Sequence, residues 1–257
     1  MKITKNQLKG WKACISGYEW FLHRFPGGDA EYQDVLNALA EDDRPNDADW
    51  LMNHAGPDKH AVIEVGAIAD RKHFFAAGTL VIKSVATVSG QLRAGGGIKA
   101  GGGINAGQGI EAGCGIEAGD GIKAGRGIKA GDGITAGGGI KADWGIAAGD
   151  GIEAGDGIKA NDGITAGQGI EAGWGIEAGD GIKAGRGIKA GDGITAGYGI
   201  EAGDGIEAGD GFGIFAGLRM RRADWSRYAL VIAKAKPDNL VSGSWVEPAA
   251  EVEKEAA

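Results

Sequence analysis

Apolar and polar residues alternate with a six-residue period from Leu92 to Ala208. Each unit has the form Gly-Ile-x-Ala-Gly-x, with Ile98, Lys99 and Ala100 as one example. Alternation of this kind places Ile and Ala on one face of a short strand and the residue between them on the other. Two or three glycines in every six residues disfavour a helix. The pattern predicts a mainly β protein, a parallel β-solenoid in which each turn of chain covers the next.

The same phase extends beyond the regular repeat. Apolar residues continue at multiples of six before Leu92, back to Val62, so we predict that the solenoid begins near Val62. After the repeat, Ile214–Ala216 restores the motif two residues out of step, which predicts an end near Leu218. The Gly-x-Gly segments are predicted to form the corners, because glycine adopts positive φ without a clash at Cβ.

The number of repeats in one coil is a choice between two and three. Between Lys99 and Glu207, a spacing of twelve residues gives eight opposite-charge pairs and one like-charge pair. A spacing of eighteen gives six opposite-charge pairs and three like-charge pairs. Opposite charges on adjacent strands contribute roughly 0.2–1 kcal/mol each. The charges therefore favour two six-residue faces per coil over three.

The composition divides the chain into four parts. Residues 1–60 have helical signals at 5–14, 17–25, 29–41 and 46–54, and predict a small α-helical domain. Residues 61–218 form the solenoid, residues 219–246 a C-terminal cap, and residues 247–257 a disordered tail. The cap is predicted to be a β-hairpin with strands at 229–233 and 240–246. The helical domain either covers an exposed sheet edge or binds a partner.

Charge and aromatic residues suggest a surface for binding proteins. The chain has a formal net charge of −8, and the segment from Leu92 to Gly217 holds seventeen Asp and Glu against ten Lys and Arg. Net negative charge disfavours direct contact with nucleic acid but suits a basic groove on another protein. The alternative is that the charged residues only keep the chain soluble and its sheets unpaired with other chains, and that the aromatic residues only pack at the turns. The candidate contact residues are Trp144, Trp174, Tyr198, Asp150, Asp156, Asp180, Asp192, Asp204 and Asp210.

A basic and aromatic cluster follows the repeat. Trp225 and Tyr228 are interleaved with four arginines, which are Arg219, Arg221, Arg222 and Arg227. Such a cluster can bind nucleic acid. It can equally match the acidic solenoid of the same chain or of a second copy.

The residues give no support for catalysis. His23, His54, His60 and His73 lack the spacing of metal ligands. Matches to the nucleotide-binding motif Gly-x-Gly-x-x-Gly arise from the repeat alone. We predict no enzyme activity, no cofactor and no metal. Two cysteines far apart do not suggest a disulfide. The first residues are polar and no apolar run reaches membrane length, so we expect a protein of the host cytoplasm without a membrane partner.

The N-terminal part resembles a small module of uncharacterised phage and prophage proteins. The resemblance is carried by LKGWKACISGYEWF at 8–21, DVLNALAEDDRP at 34–45 and DWL at 49–51. With the Gly-Ile-x-Ala-Gly-x repeats, residues 1–217 are similar to repeat proteins of proteobacteria and their mobile elements. The resemblance implies no assigned activity. It suggests anti-defence inhibitors, such as anti-CRISPR proteins, which act by blocking a target.

Together these observations predict a non-enzymatic protein of phage or mobile-element origin. It would bind and inhibit a host protein that handles nucleic acid or serves defence, and its acidic surface would imitate nucleic acid. One alternative is a structural component, either a self-assembling rod or part of a virion, in which the chain forms a homo-oligomer. A weaker alternative is a nucleic-acid binder that uses the four arginines.

Overall fold

The computed structural model describes residues 1–210, 212–219 and 221–248. It divides into two compact units, Met1–Ala136 and Gly137–Ala257. Most of the tail that we predicted to be disordered, from Ala249 onward, lies outside the described residues.

The first unit begins with a small helical region. Helices α1 to α4 span Lys5–Gly10, Ile15–Arg24, Tyr32–Glu41 and Pro45–Ala55. Strands Lys2–Thr4 and Asp29–Glu31 pair antiparallel, so the third helix starts three residues later than the sequence suggested. Thr4 and Gln7 form a capping box at α1. The helices bury a common core that includes Phe21, Leu36 and Leu51.

The helical region covers one strand of the first coil. The Gln33 side chain of α3 donates to the carbonyl oxygen of Phe75 at 2.8 Å and accepts from the amide of Ala77 at 2.9 Å. A side-chain amide thus takes the place of a neighbouring strand. Phe75 itself belongs to the helical core. The helical region therefore covers this strand, and its role as a binding domain stays a prediction.

Three parallel sheets make up the solenoid of the first unit. The first contains Val62–Val65, Thr79–Ile82, Ile98–Ala100, Ile116–Ala118 and Ile134–Ala136. The second contains Ile68–Arg71, Ala86–Val88, Ile104–Ala106 and Ile122–Ala124. The third contains Phe74–Ala76, Leu92–Ala94, Ile110–Ala112 and Ile128–Ala130. The predicted start near Val62 is confirmed.

The second unit repeats this arrangement of three parallel sheets. One contains Ile140–Ala142, Ile158–Ala160, Ile176–Ala178, Ile194–Ala196, Ile214–Phe215 and Leu240–Ser242. Another contains Ile146–Ala148, Ile164–Ala166, Ile182–Ala184, Ile200–Ala202, Leu230–Ile232 and Ser244–Val246. The remaining sheet contains Ile152–Ala154, Ile170–Ala172, Ile188–Ala190 and Ile206–Glu207.

Neighbouring strands of the regular repeat are eighteen residues apart, as in the pairing of Ile104 with Ile122. Three hexapeptides therefore form one coil, and our preference for two was wrong. The exposed charges on which it rested contribute little. Burying an isoleucine contributes roughly 1.5–3 kcal/mol, and the eighteen-residue coil packs the Ile rows of three sheets around one core. As a result, two like-charge pairs lie side by side in the sheets, Lys141 with Lys159 and Glu153 with Glu171.

The corner glycines are needed for close approach between coils. A Cβ built on Gly173 would lie 2.0 Å from the carbonyl oxygen of Gly155, and Gly113 meets Gly95 at the same distance. Neither glycine has positive φ, so the conformational reason that we gave for these residues was wrong. Glycine is required because a side chain would strike the backbone of the preceding coil.

The predicted C-terminal strands are present, but the second is divided at Gly243, and its Ser244–Val246 part pairs with Leu230–Ile232 in parallel and not in the antiparallel manner of a hairpin. Leu230–Ile232 pairs in parallel with Ile200–Ala202, and Leu240–Ser242 pairs in parallel with Ile214–Phe215. Gly243, at φ 108°, then turns the chain into a further strand of a different sheet. A β-hairpin cap was therefore the wrong interpretation, since these strands extend the solenoid sheets past Leu218.

A helical turn lies between Ile214–Phe215 and Leu230–Ile232. It consists of a 3₁₀ segment, Arg222–Asp224, followed by helix α5, Trp225–Tyr228. The basic and aromatic cluster therefore lies on a connection between two solenoid strands.

Candidate interaction surface

The corner residues of the second unit stack in columns, one residue per coil. Most corner residues are the x of Gly-x-Gly, and from Gln168 to Asp204 the backbone amide of each donates to the corner carbonyl of the preceding coil. In the column that we call the Trp174 column, Trp174 donates to Asp156 at 3.2 Å and Asp192 donates to Trp174 at 3.3 Å. Neighbouring members are thus separated by one strand spacing of about 4.8 Å.

The Trp174 column presents an indole between two carboxylates. The Trp174 side chain is 61% exposed. Asp156 and Asp192 are half-buried, whereas Asp150, at a different corner, is exposed. Within the described residues, neither Asp156 nor Asp192 forms an ion pair. The column therefore offers an apolar aromatic face with free negative charge on both sides.

A second column contains Asp162, Asp180 and Tyr198. Asp180 donates its amide to Asp162 at 3.2 Å, and Tyr198 donates to Asp180 at 3.1 Å. Tyr198 is 42% exposed. Asp180 is half-buried, and its Oδ1 lies 3.7 Å from Nη1 of Arg219. This column, which we call the Tyr198 column, already holds a basic residue of the same chain.

The third column is partly neutralised within the chain. It contains Asp150, Gln168, Arg186 and Asp204. Gln168 donates to Asp150 at 3.4 Å, and Lys234 donates to Asp204 at 2.7 Å. The hydrogen bond from Lys234 holds the pKa of Asp204 below its usual value and raises the pKa of Lys234. Asp150 and Asp204 are therefore weaker candidates for contact than Asp156 and Asp192.

The predicted contact residues do not form one continuous set. Asp156, Trp174 and Asp192 share a column, Asp180 and Tyr198 share another, and the structure places Asp150 and Asp204 at the third corner. Trp144 is 55% exposed, and Asp210 is also exposed. The separation follows from the eighteen-residue coil, which the sequence alone did not identify.

The strand faces hold paired charges. Lys159 contacts Glu177 at 2.7 Å and Lys183 contacts Glu201 at 2.9 Å, each one coil away. Since the outward residues of the strands partly neutralise one another, much of the unpaired acidic charge lies at the corners.

The four arginines of the cluster differ in their contacts. Arg219 matches Asp180 as described, which confirms an internal charge match for this one residue. Arg222 lies over Trp225 at 5.9 Å and Arg227 over Tyr228 at 4.9 Å. In the described part of the chain, Arg221, Arg222 and Arg227 are exposed and form no ion pair with a carboxylate.

The structure also shows polar contacts that the sequence did not suggest. Asp43, which follows α3, accepts hydrogen bonds from Lys72 and from the buried His73, at 3.0 Å for His73. These bonds hold the pKa of Asp43 below its usual value, that from Lys72 most strongly. Arg93 donates to Asp49 at 2.7 Å in α4. The pairs lie about 30 to 44 residues apart along the chain, without any local motif.

Other features of the described residues bear on the chemistry. No cluster of three or more His, Cys, Asp and Glu is placed to hold a metal ion across 1–210, 212–219 and 221–248. Cys14 and Cys114 are free thiols. Within those same ranges, no helix combines the length and apolar character that crossing a bilayer requires.

Comparison with known proteins gives one match. A family model described as the YdhT N-terminal domain matches residues 1–55, which are the strand and helices of the N-terminal region. No curated protein and no solved structure matches the chain. The match supports the resemblance noted for the N-terminal residues.

Proposed function

We propose that the chain is a non-enzymatic binding protein of phage or mobile-element origin that inhibits a host nucleic-acid-handling protein. The contact surface is the set of acidic and aromatic corners between Gly137 and Gly217. The observation that carries the proposal is the Trp174 column, in which an exposed indole stands between two carboxylates without ion pairs.

The charge of this segment fits a basic partner. Residues 137–217 contain thirteen Asp and Glu against five Lys and Arg. Because lysines on the strand faces already pair with glutamates there, the corners present much of the remaining negative charge. A surface that binds nucleic acid is basic, so an acidic column attracts it and speeds association.

The backbone keeps the corners in place. The corner amides from Gln168 to Asp204 bond to the preceding coil, and the inward Ile and Ala of strands 170–202 are buried. Side chains on such a scaffold lose little backbone freedom on binding, which lowers the entropic cost of forming a complex. Large exposed aromatic residues are also the side chains that most often dominate interface energies.

Affinity capture from a bacterial host lysate tests the proposal. The bait is the full chain, compared with a triple variant in which Asp156, Asp180 and Asp192 become Asn. The matched control carries Glu111→Gln, Asp120→Asn and Asp132→Asn, which removes the same charge from the first unit.

We expect the parent and the control to capture the same nucleic-acid-binding protein, and the triple variant to lose it. Added duplex DNA should displace the captured protein, and the purified chain should reduce that protein's DNA binding. Equal capture by the triple variant and the parent would contradict the proposal, as would a partner whose DNA binding is unaffected.

A further inference from the structure

One of the chain's own arginines shows how a guanidinium fits at a corner. The Arg219 amide donates to the carbonyl oxygen of Gly197 at 3.1 Å, and Nη1 lies 3.7 Å from Oδ1 of Asp180. A Cβ on Gly197 would lie 2.9 Å from Cδ of Arg219, and one on Gly179 would lie 2.8 Å from Nη2. The arginine can lie across the Tyr198 column because the corner glycines leave room for it.

The Trp174 column has the same components without an arginine. Asp156 and Asp192 lie one coil below and one coil above Trp174, joined through backbone hydrogen bonds. Glycines precede the corner here too, and Gly173 and Gly191 approach the coil before them as closely as Gly197 does. Among the described residues, no basic side chain pairs with either carboxylate.

The chemistry of the column suits arginine better than lysine. A planar guanidinium stacks on an indole face and directs its N–H groups to carboxylates at the sides. An ammonium group has no plane with which to stack and holds its hydration more strongly. We propose that Trp174, Asp156 and Asp192 bind an arginine side chain of the partner protein. The inference rests on the proposed function and names the chemistry that its surface recognises.

The sequence contains its own control for this site. Residues 108–136 recur at 168–196 with a single difference, Cys114 in the first copy and Trp174 in the second. Cys114 lies between Gly96 and Asp132 in its column. The indole therefore occurs where both neighbours are aspartates, and the cysteine occurs where only one is.

Titration with two peptides, observed by NMR, tests the inference. The probes are hexa-arginine and hexa-lysine, and the signal is the indole N–H of Trp174, assigned by its loss in Trp174→Cys. Calorimetry supplies the total affinity for each peptide. The variants are Trp174→Cys, a double variant with Asp156→Asn and Asp192→Asn, and an exchange variant that combines Cys114→Trp with Trp174→Cys.

We expect the Trp174 signal to saturate with hexa-arginine at a several-fold lower concentration than with hexa-lysine. Removing the indole should weaken hexa-arginine binding about 3- to 5-fold, the size of an exposed cation–π contact. The exchange variant keeps net charge and composition and should not recover that loss. The double aspartate variant should weaken both peptides.

Equal affinities for the two peptides at the Trp174 signal would overturn the inference, and so would an exchange variant that binds hexa-arginine as the parent does. Either result leaves the proposed function intact if host capture still depends on the aspartates. Loss of that dependence would instead overturn the proposed function. Thermal unfolding of each variant confirms that the fold is retained.

Discussion

The repeat of the first unit and the repeat of the second share a backbone but differ at their corners. From Leu92 to Ala136 there are four Asp and Glu against five Lys and Arg, whereas residues 137–217 have thirteen against five. Both segments bury the same Ile and Ala rows and stack with the same eighteen-residue offset. The first unit forms its coils without Trp or Tyr at a corner, so the solenoid does not require them.

The difference shows that the residues that stabilise the coils are not the residues that form their exposed corners. Buried Ile and Ala and closely packed glycines are common to both units, and they account for the fold. Exposed tryptophan is found at the corners of the second unit, where corner aspartates are also more numerous than in the first, and together they account for the proposed binding surface. Substitutions of the shared residues should lower the free energy of unfolding equally in both units. Substitutions of the exposed corner residues should change the affinity for a partner alone.

The largest expected effect comes from filling a corner glycine. Gly113→Ala in the first unit and Gly173→Ala in the second both place Cβ 2.0 Å from a carbonyl oxygen. We expect each to lower the free energy of unfolding by more than about 3 kcal/mol, because the backbone must shift. Urea unfolding measures this. Gly205→Ala, where nothing lies within 4 Å, is the control and should change it by less than about 1 kcal/mol. A large effect in one unit only would show that the two coils are not equivalent.

A smaller effect is expected from the Asp43 carboxylate. Asp43→Asn should lower the thermal midpoint at pH 7, because the hydrogen bonds from Lys72 and His73 favour the charged form and depress its pKa. A depressed pKa stabilises the fold above the unfolded value near 4 and loses that contribution as the pH falls through the folded value. The gap between variant and parent should therefore shrink below about pH 4. Asn also tolerates the positive φ of 55° at this position.

Asp204→Asn is the counterpart in the second unit. The pKa of Asp204 is depressed in the same direction by the hydrogen bond from Lys234, but Asp204 lacks a counterpart, among the described residues, of the buried His73 that also bonds to Asp43. We expect the same pH dependence with a smaller shift in thermal midpoint. A larger shift for Asp204→Asn than for Asp43→Asn would contradict this ordering.

Charges on the strand faces should have a modest effect. Glu153→Lys replaces a like-charge pair with Glu171 by an opposite pair, and we expect a gain of roughly 0.2–1 kcal/mol. Lys99→Glu removes the 3.0 Å contact with Glu117 and should cost a similar amount. Denaturant unfolding at low salt measures both changes. If both variants move in the same direction, cross-strand charge pairing is not the cause.

The smallest effect is expected from Trp174→Cys. The first unit folds the same sequence with Cys114, so the free energy of unfolding should change by no more than about 0.5 kcal/mol. Calorimetry under reducing conditions measures it. A large destabilisation would show that the indole supports the coil, and would remove the reason for assigning it to binding.

Much of the fold follows from the sequence because the repeat is local. The Ile-x-Ala strands and the onset at Val62 were predicted from spacing alone. The coil length was not, because twelve and eighteen differ only in which exposed charges meet. The burial that decides between them depends on packing three sheets around one core. The hairpin was also wrong, since only the turn at Gly243 shows that residues 240–246 form two strands in different sheets.

The candidate surface was predictable in composition but not in arrangement. The exposure of Trp144, Trp174 and Tyr198 was expected from their place at turns of the repeat, and it is observed. Which aspartates flank Trp174 depends on the coil length, so the column could not be identified beforehand. The pairing of Arg219 with Asp180 joins residues 39 positions apart and has no local sequence signal.

The most direct test measures binding and stability on one variant. The variant carries Gln at five corner positions, which are Asp156, Trp174, Asp180, Asp192 and Tyr198. Its affinity for the captured host protein and its free energy of unfolding in urea are both measured. We predict at least about a 100-fold loss of affinity with a free energy of unfolding within about 1 kcal/mol of the parent. Undiminished affinity in this folded variant would contradict the claim that the corners of the second unit form the binding surface.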